Sequence, residues 1–155
     1  MTQADFTECF GAIFEETPAV ARQAWAARPF QNATDLHRKM VAAVRDMTPD
    51  EKLALIRAHP ELGARSKMAE ASVQEQASAG LDQLTASDYR RIQTLNAAYK
   101  QKFDFPFVVA VKGLAVKDII AAMESRLGSD REVEIMRSLQ EIYKIARLRL
   151  EKLVA

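Results

Sequence analysis

The sequence predicts an all-α protein, a compact single-domain bundle of about eight helices over residues 1–155. Three observations support this fold class. Apolar residues recur at three- and four-residue intervals, the five glycines and five prolines fall mostly between these periodic segments, and strand-like alternation is scarce. The chain also has the length of one ordinary domain.

The first helices are predicted from apolar stripes. One helix is expected over residues 5–16, a second opens at Pro18, and a third follows Thr34 and runs to Met47. His37 lies just off the stripe of the third helix. We interpret it as a surface or half-buried structural histidine rather than a catalytic one.

Two segments match the capping box, in which a hydroxyl residue at a helix start is followed three residues later by glutamate. Residues 48–51 (TPDE) predict a helix that ends near His59, and residues 72–75 (SVQE) predict a short helix that ends before Gly80. Residues 60–71 are expected to be irregular and to lie over the surface.

The C-terminal half predicts three helices, over residues 85–103, 116–127 and 130–153. The apolar run 104–111 lacks a partner strand, so we favour a buried extended connection over a strand. The last helix is expected to bury a broad apolar side made of Val133, Met136, Leu139, Tyr143 and Leu150.

Composition disfavours several classes of function. Lys and Arg number 22 against 21 Asp and Glu, with no basic run interleaved with aromatics, so nucleic acid is a poor candidate partner. The lone Cys9, expected to be a small buried residue, excludes an intrachain disulfide, and with two histidines supplies too few ligands for zinc. No metal, membrane span or secretion signal is predicted, and the cytoplasm is the default location.

His59 is the first candidate for proton transfer. Histidine titrates near neutral pH, and Pro60 biases His59 out of the helical conformation, so its imidazole is expected at a helix end. The partial negative charge there favours the imidazolium, which suits a proton donor. From position alone, a histidine that caps the last carbonyls is an equally good interpretation.

Five further polar residues are candidates for a site. Glu75 by position favours a helix cap, yet the same helix start, with Ser72 and Gln76, could hold a ureide or a nitrogen heterocycle. Arg147 lies near the apolar face of the last helix, where its guanidinium needs either ligand oxygens or a structural acid. Asn96 flanks the apolar stripe of its helix.

Four segments read AHPELG (58–63), SVQEQASAGL (72–81), LNAAYKQKFDFPFVVAVKG (95–113) and IARLRL (145–150). Together they resemble the OHCU decarboxylase family, which acts on 2-oxo-4-hydroxy-4-carboxy-5-ureidoimidazoline (OHCU) in the oxidation of urate to allantoin. The resemblance spans nearly the whole chain. It implies a cofactor-free carboxy-lyase that yields (S)-allantoin and is usually a homodimer.

The resemblance also implies roles for individual residues. His59 would be the catalytic acid/base, with Glu75 beside it in the catalytic site, and backbone groups of residues 107–111 would contact the ligand. The implied substrate-binding residues are Pro60, Ser72, Gln76, Phe107, Val108, Val109, Ala110, Val111 and Arg147. Asp104 stands where the family often has glycine, which leaves the geometry of that loop open.

Two alternatives to this function remain at this stage. One is a cofactor-free enzyme that acts on a related purine-derived ureide with the same pocket. The other is a helical interaction module without activity.

Overall fold

The computed structural model describes residues 1–63 and 70–154, which form eight α-helices with no β-strand among them. They are α1 (Gln3–Phe10), α2 (Ala19–Trp25), α3 (Ala33–Arg45), α4 (Pro49–Arg57), α5 (Glu70–Ser78), α6 (Ala86–Phe103), α7 (Val116–Arg126) and α8 (Arg131–Val154). The predicted all-α class and number of helices are confirmed. None of these described helices is long and apolar enough to cross a membrane.

The chain divides into two compact units. The first, unit 1, comprises Met1–Ala58 and Ile142–Ala155, and the second, unit 2, comprises His59–Glu141. The final helix, α8, therefore contributes residues to both units. The expectation of a single domain over residues 1–155 stays a prediction.

The N-terminal core of unit 1 is built around the buried ring of Phe6. This ring lies 4.9 Å from Phe10 and 5.3 Å from both Trp25 and Phe30, measured between centroids. Helix α1 ends at Phe10, so the expected helix over residues 5–16 is too long. Cys9 is exposed, which contradicts its predicted burial, because α1 is a short helix that buries only Phe6.

Side-chain caps set the starts of α3 and α4 in unit 1. The Asn32 side chain accepts a 2.8 Å hydrogen bond from Asp35 N–H, so α3 begins just before the predicted Thr34. The predicted capping box of α4 is confirmed. Glu51 N–H donates to Thr48 Oγ1 at 3.2 Å, and Thr48 N–H donates to Glu51 Oε1 at 3.0 Å.

His37 has a structural position on α3, as predicted. It is half-buried, and its Nε2 lies 2.9 Å from the carbonyl oxygen of Tyr143. Because a carbonyl can only accept, Nε2 carries the proton and donates it. The hydrogen bond ties α3 to the C-terminal part of α8 within unit 1.

Unit 2 has an aromatic core at the end of α6. The Tyr99 ring packs 4.6 Å from Phe103 and meets Phe107 edge-on at 5.3 Å. Residues 105–109 are all buried and belong to no helix or strand, which confirms the predicted buried connection. Asp104, which precedes this connection, has φ +64° and ψ +31°, in the left-handed region. Glycine adopts this conformation most readily, and aspartate adopts it more readily than most other residues do.

The predicted buried side of α8 is wrong in its N-terminal half. Val133 and Met136 are 53% and 61% exposed, although Leu139 and Leu150 are buried as expected. The residues buried instead are Glu134, Ser138 and Glu141. Their spacing of four and three residues places them on one face of the helix. The physical reason is a buried cation on α7 that requires an acidic partner, as described below.

Candidate active site

His59 directly follows the end of α4, where it was predicted. Ala58 caps that helix by donating its N–H to Ala54 C=O at 3.0 Å. His59 is 7% exposed, and Pro60 after it is half-buried. A buried imidazole that follows a helix terminus is in a position where proton transfer can be shielded from bulk water.

Two buried amide side chains hold one peptide group shortly after His59. Asn96 on α6 donates Nδ2–H to Leu62 C=O at 2.9 Å, and Gly63 N–H donates to Oε1 of Gln76 on α5 at 2.9 Å. These are the two ends of the same peptide bond. We call this arrangement the peptide clamp, and it joins the turn after His59 to both α5 and α6.

Glycine suits the residue after the clamped carbonyl better than other residues do. Gly63 has φ +69°, in the left-handed region that side chains disfavour. A Cβ at this position would also approach Leu84 Cδ1 to 3.2 Å, so the Leu84 side chain would have to shift. The Gly63 of the AHPELG motif is therefore favoured both by the conformation of the turn and by its close packing.

Helix α5 presents three of the predicted site residues on one face. Ser72, Glu75 and Gln76 are separated by three and four residues, and Ser72 and Gln76 are buried at 4% and 7% exposure. The described helix already includes Glu70, so the predicted start after Ser72 and the predicted irregular structure of residues 70–71 are wrong. Glu75 consequently lies well inside the helix, where it cannot close a capping box with Ser72. Residues 64–69 of the predicted irregular segment lie outside the described residues.

The connection over residues 107–111 is anchored by its backbone. Val108 C=O accepts a 2.7 Å hydrogen bond from Arg126 Nη1, and Ala110 N–H donates to Glu141 Oε1 at 3.2 Å. Val111 C=O accepts a 3.0 Å hydrogen bond from Leu114 N–H, which closes a turn. The backbone groups of Val109 lie between the two side-chain anchors, in a segment held in place from α7 and α8.

The anchor on Val108 belongs to a buried polar network that the sequence analysis missed. Arg126 Nε donates to Glu134 Oε1 at 2.8 Å, and Tyr99 Oη–H donates to the same oxygen at 2.6 Å. Arg126 also stacks over Phe107, with its Cζ 4.4 Å from the ring centroid. The recurrence of Glu134, Ser138 and Glu141 at helical spacing was the available signal, since it marks a polar face opposite Val133 and Met136.

Alkaline pH is expected to weaken the folded state through Tyr99. Burial, with the hydrogen bond to Glu134, raises the pKa of Tyr99 above its ordinary value of 10. Above about pH 10 the unfolded chain loses this proton while the folded chain keeps it, so the free energy of unfolding falls as pH rises. Below that pH the contribution is complete.

Urea unfolding between pH 8.5 and 11 measures this effect in the wild type and in Tyr99→Phe. We expect the wild type to lose about 1.4 kcal/mol per pH unit more than the variant once pH exceeds 10. Burial also raises the pKa of Tyr143, so the variant keeps part of the slope. Equal slopes in the two proteins would show that Tyr99 does not contribute.

Arg147 belongs to unit 1, whereas the other predicted site residues belong to unit 2. Its Nε lies 2.7 Å from Glu151 Oε1, one turn further along α8, and the two side chains are 33% and 50% exposed. Such a pair contributes about 0.3–0.5 kcal/mol. The guanidinium therefore has an exposed acid as its partner in this structure, and its predicted role with a ligand stays a prediction.

Known proteins resemble this chain over its whole length. The family model described as OHCU decarboxylase matches residues 1–151. A 2-oxo-4-hydroxy-4-carboxy-5-ureidoimidazoline decarboxylase of Halalkalicoccus jeotgali is 44% identical over 99% of this chain and 89% of its own. The enzyme of that name from Haloferax volcanii is 45% identical over 94% of this chain and 86% of its own.

A solved structure supports the same relationship. The crystal structure of an (S)-allantoin synthase superposes with a TM-score of 0.78 and 27% sequence identity, covering 99% of this chain and 51% of that one. The family match, the two relatives and this structure agree with one another. The chain therefore belongs to the OHCU decarboxylase family.

Proposed function

We propose that this protein converts OHCU to (S)-allantoin and carbon dioxide, as a carboxy-lyase of urate degradation. The observation that carries the proposal is the family match over residues 1–151, together with relatives of 44% and 45% identity named for this reaction. The structure adds physical support. Unit 2 contains a buried histidine, a helix face that buries polar groups, and an anchored backbone segment.

The reaction sets three demands on the protein. The carbon–carbon bond to the carboxylate breaks, carbon dioxide leaves, and the electron pair moves onto the adjacent ring C=N bond. One proton then adds to one face of the ring carbon that carries the ureido group. The 4-hydroxyl loses its proton as its carbon becomes a carbonyl, and the ring nitrogen that received the electron pair takes up a proton, which gives allantoin. The site must orient the carboxylate, stabilise the developing charge and deliver that proton from one side.

His59 is the residue to which we assign the proton step. His59 is 7% exposed, so few water molecules compete with it for the substrate. The peptide clamp begins three residues later and limits how far the turn can move. Delivery of the proton from this fixed position explains why the product is a single enantiomer.

The face of α5 is the surface to which we assign substrate recognition. Glu75 is half-buried and offers a carboxylate to the ureido N–H groups, while Ser72 and Gln76 beside it are buried. Because Gln76 Oε1 accepts a hydrogen bond from Gly63 N–H, we assign the contact of Gln76 with the substrate to its Nε2, which can donate to a substrate oxygen. A carboxylate beside amide and hydroxyl groups matches a ureide better than a phosphate.

Two further groups are assigned to substrate binding. We assign the backbone contact to residues 107–111, through groups other than Val108 C=O and Ala110 N–H, which are already bonded to Arg126 and Glu141. For Arg147 of unit 1 we keep the role that the family resemblance implies, the binding of substrate oxygens, since a planar guanidinium binds a carboxylate or urea oxygens through parallel hydrogen bonds. Pro60 would line the pocket next to His59.

The activity is tested directly by incubating the protein with freshly generated OHCU and following circular dichroism at the allantoin band. We expect a dichroic signal of (S)-allantoin that grows in proportion to protein concentration. Racemic product at the rate found in buffer would contradict the proposal. Turnover of a related purine-derived ureide, with none of OHCU, would favour the alternative specificity.

The proposed assembly and location have separate grounds, since the homodimer is implied by the family resemblance and the cytoplasm is the default location. We propose a homodimer in the cytoplasm that acts on a small molecule, with neither nucleic acid nor membrane as a partner. Sedimentation of the purified protein measures the assembly.

A further inference from the structure

The Asn96 side chain is buried with only one of its two polar atoms hydrogen-bonded. Asn96 is 3% exposed, and its Nδ2 donates to Leu62 C=O at 2.9 Å. Its Oδ1 is fully buried, and within residues 1–63 and 70–154 it has no hydrogen-bond partner. An apolar residue here would remove this unsatisfied acceptor but leave Leu62 C=O unpaired, so stability alone does not account for the amide.

The hydrogen bond of Asn96 acts on the segment that contains His59. Leu62 C=O and Gly63 N–H belong to one peptide group, so Asn96 and Gln76 hold it from α6 and α5 at the same time. Only Pro60 and Glu61 separate this residue pair from His59, and the proline ring fixes one of the intervening φ angles. Release of the peptide would therefore allow the imidazole to shift.

We propose that Asn96 is a positioning residue for catalysis, which holds the Leu62–Gly63 peptide so that His59 delivers its proton to one face of the substrate. This inference rests on the proposed decarboxylase function. Asn96 acts through His59 and does not touch the substrate, so its loss lowers kcat and the enantiomeric excess of the product while KM changes little.

The principal test is Asn96→Leu, with Gln93→Leu as the matched control. Gln93 is an exposed amide on the same helix, one turn earlier. The substitution Asn96→Leu removes the unpaired Oδ1 but leaves Leu62 C=O without its donor. Because one unsatisfied acceptor replaces another, Tm is expected to change by less than about 4 °C. We expect kcat to fall about 10- to 100-fold, with a measurable loss of enantiomeric excess.

Asn96→Asp provides a second variant of almost identical shape. Its ionised carboxylate cannot donate to Leu62 C=O, whereas its protonated form donates an O–H. Its kcat relative to wild type is therefore expected to recover as pH is lowered. Amide hydrogen exchange at Gly63 gives a readout independent of activity, and we expect faster exchange in Asn96→Leu than in Gln93→Leu.

The outcomes separate this inference from the function on which it rests. A wild-type protein without OHCU turnover would overturn the proposed function and this inference with it. An active wild type, combined with an Asn96→Leu variant whose kcat is within threefold and whose product is equally enantiopure, would overturn the positioning role alone. Unchanged exchange at the Gly63 amide would overturn the clamp.

Discussion

Replacing His59 with alanine is expected to lower kcat for OHCU decarboxylation about 100- to 10,000-fold, the usual contribution of a general acid or base. The loss should lie in kcat more than in KM, because the imidazole supplies a proton rather than substrate affinity. The fold is expected to persist, since the clamp that holds the turn uses backbone atoms of Leu62 and Gly63. Steady-state kinetics on wild type and variant measure the effect.

His37 provides the matched control, as the only other histidine of the chain. Its Nε2 bonds the carbonyl of Tyr143 within unit 1, so His37→Ala is expected to lower stability by about 0.5–1.5 kcal/mol and leave kcat unchanged. A His59→Ala rate within threefold of wild type would remove His59 from the mechanism. So would an equal loss of kcat in the two variants.

Glu75→Gln distinguishes an enzyme from a helical interaction module. The substitution keeps the shape and removes the charge that we assign to the ureido N–H groups. A substrate-binding carboxylate predicts a fall in kcat/KM, whereas an interaction module predicts that Glu75→Gln and His59→Ala alter nothing but stability. Because Glu75 lies inside α5 and not at its cap, loss of helix capping would not explain a fall.

Much of the helical framework could be predicted because its signals are local. The hydroxyl groups of Thr48 and Thr85 accept hydrogen bonds from backbone groups three residues ahead, and these caps are readable in the sequence. The predicted start of α5 after Ser72 is wrong, although Ser72 and Glu75 match the pattern of a capping box. The helix already includes Glu70 and Ala71, two residue types with high helix propensity, so it extends ahead of that motif.

The buried polar contacts could not be predicted, because each depends on residues distant in sequence. Asn96 was singled out as polar beside an apolar stripe, but its partner is a backbone carbonyl 34 residues away. The inward face of α8 is likewise set by Arg126 on α7 and Tyr99 on α6. Hydrophobic periodicity predicts burial of Val133 and Met136 rather than Glu134. It does not take into account that the buried Arg126 cation requires an acidic partner.

Arg126→Met is expected to destabilise the protein by about 3–5 kcal/mol, the usual cost of removing one partner from a buried ion pair. Glu134 is 1% exposed, so its carboxylate would remain buried, and the Tyr99 hydroxyl would be its one remaining side-chain partner among the described residues. Val108 C=O would lose its donor as well. Urea unfolding of wild type and variant at neutral pH measures the difference.

The exposed pair of Arg91 and Glu124 offers the matched comparison. Their side chains are 49% and 48% exposed at an N to O distance of 3.2 Å, so Arg91→Met should cost less than about 1 kcal/mol. Adding Glu134→Gln to Arg126→Met removes the uncompensated charge and is expected to recover part of the loss. A cost for Arg126→Met no larger than for Arg91→Met would contradict a structural role for the network. The same guanidinium holds Val108 C=O, whereas Ala110 N–H would keep its hydrogen bond to Glu141. Normal kcat in the fraction of the variant that remains folded would therefore show that the Val108 anchor is dispensable for turnover.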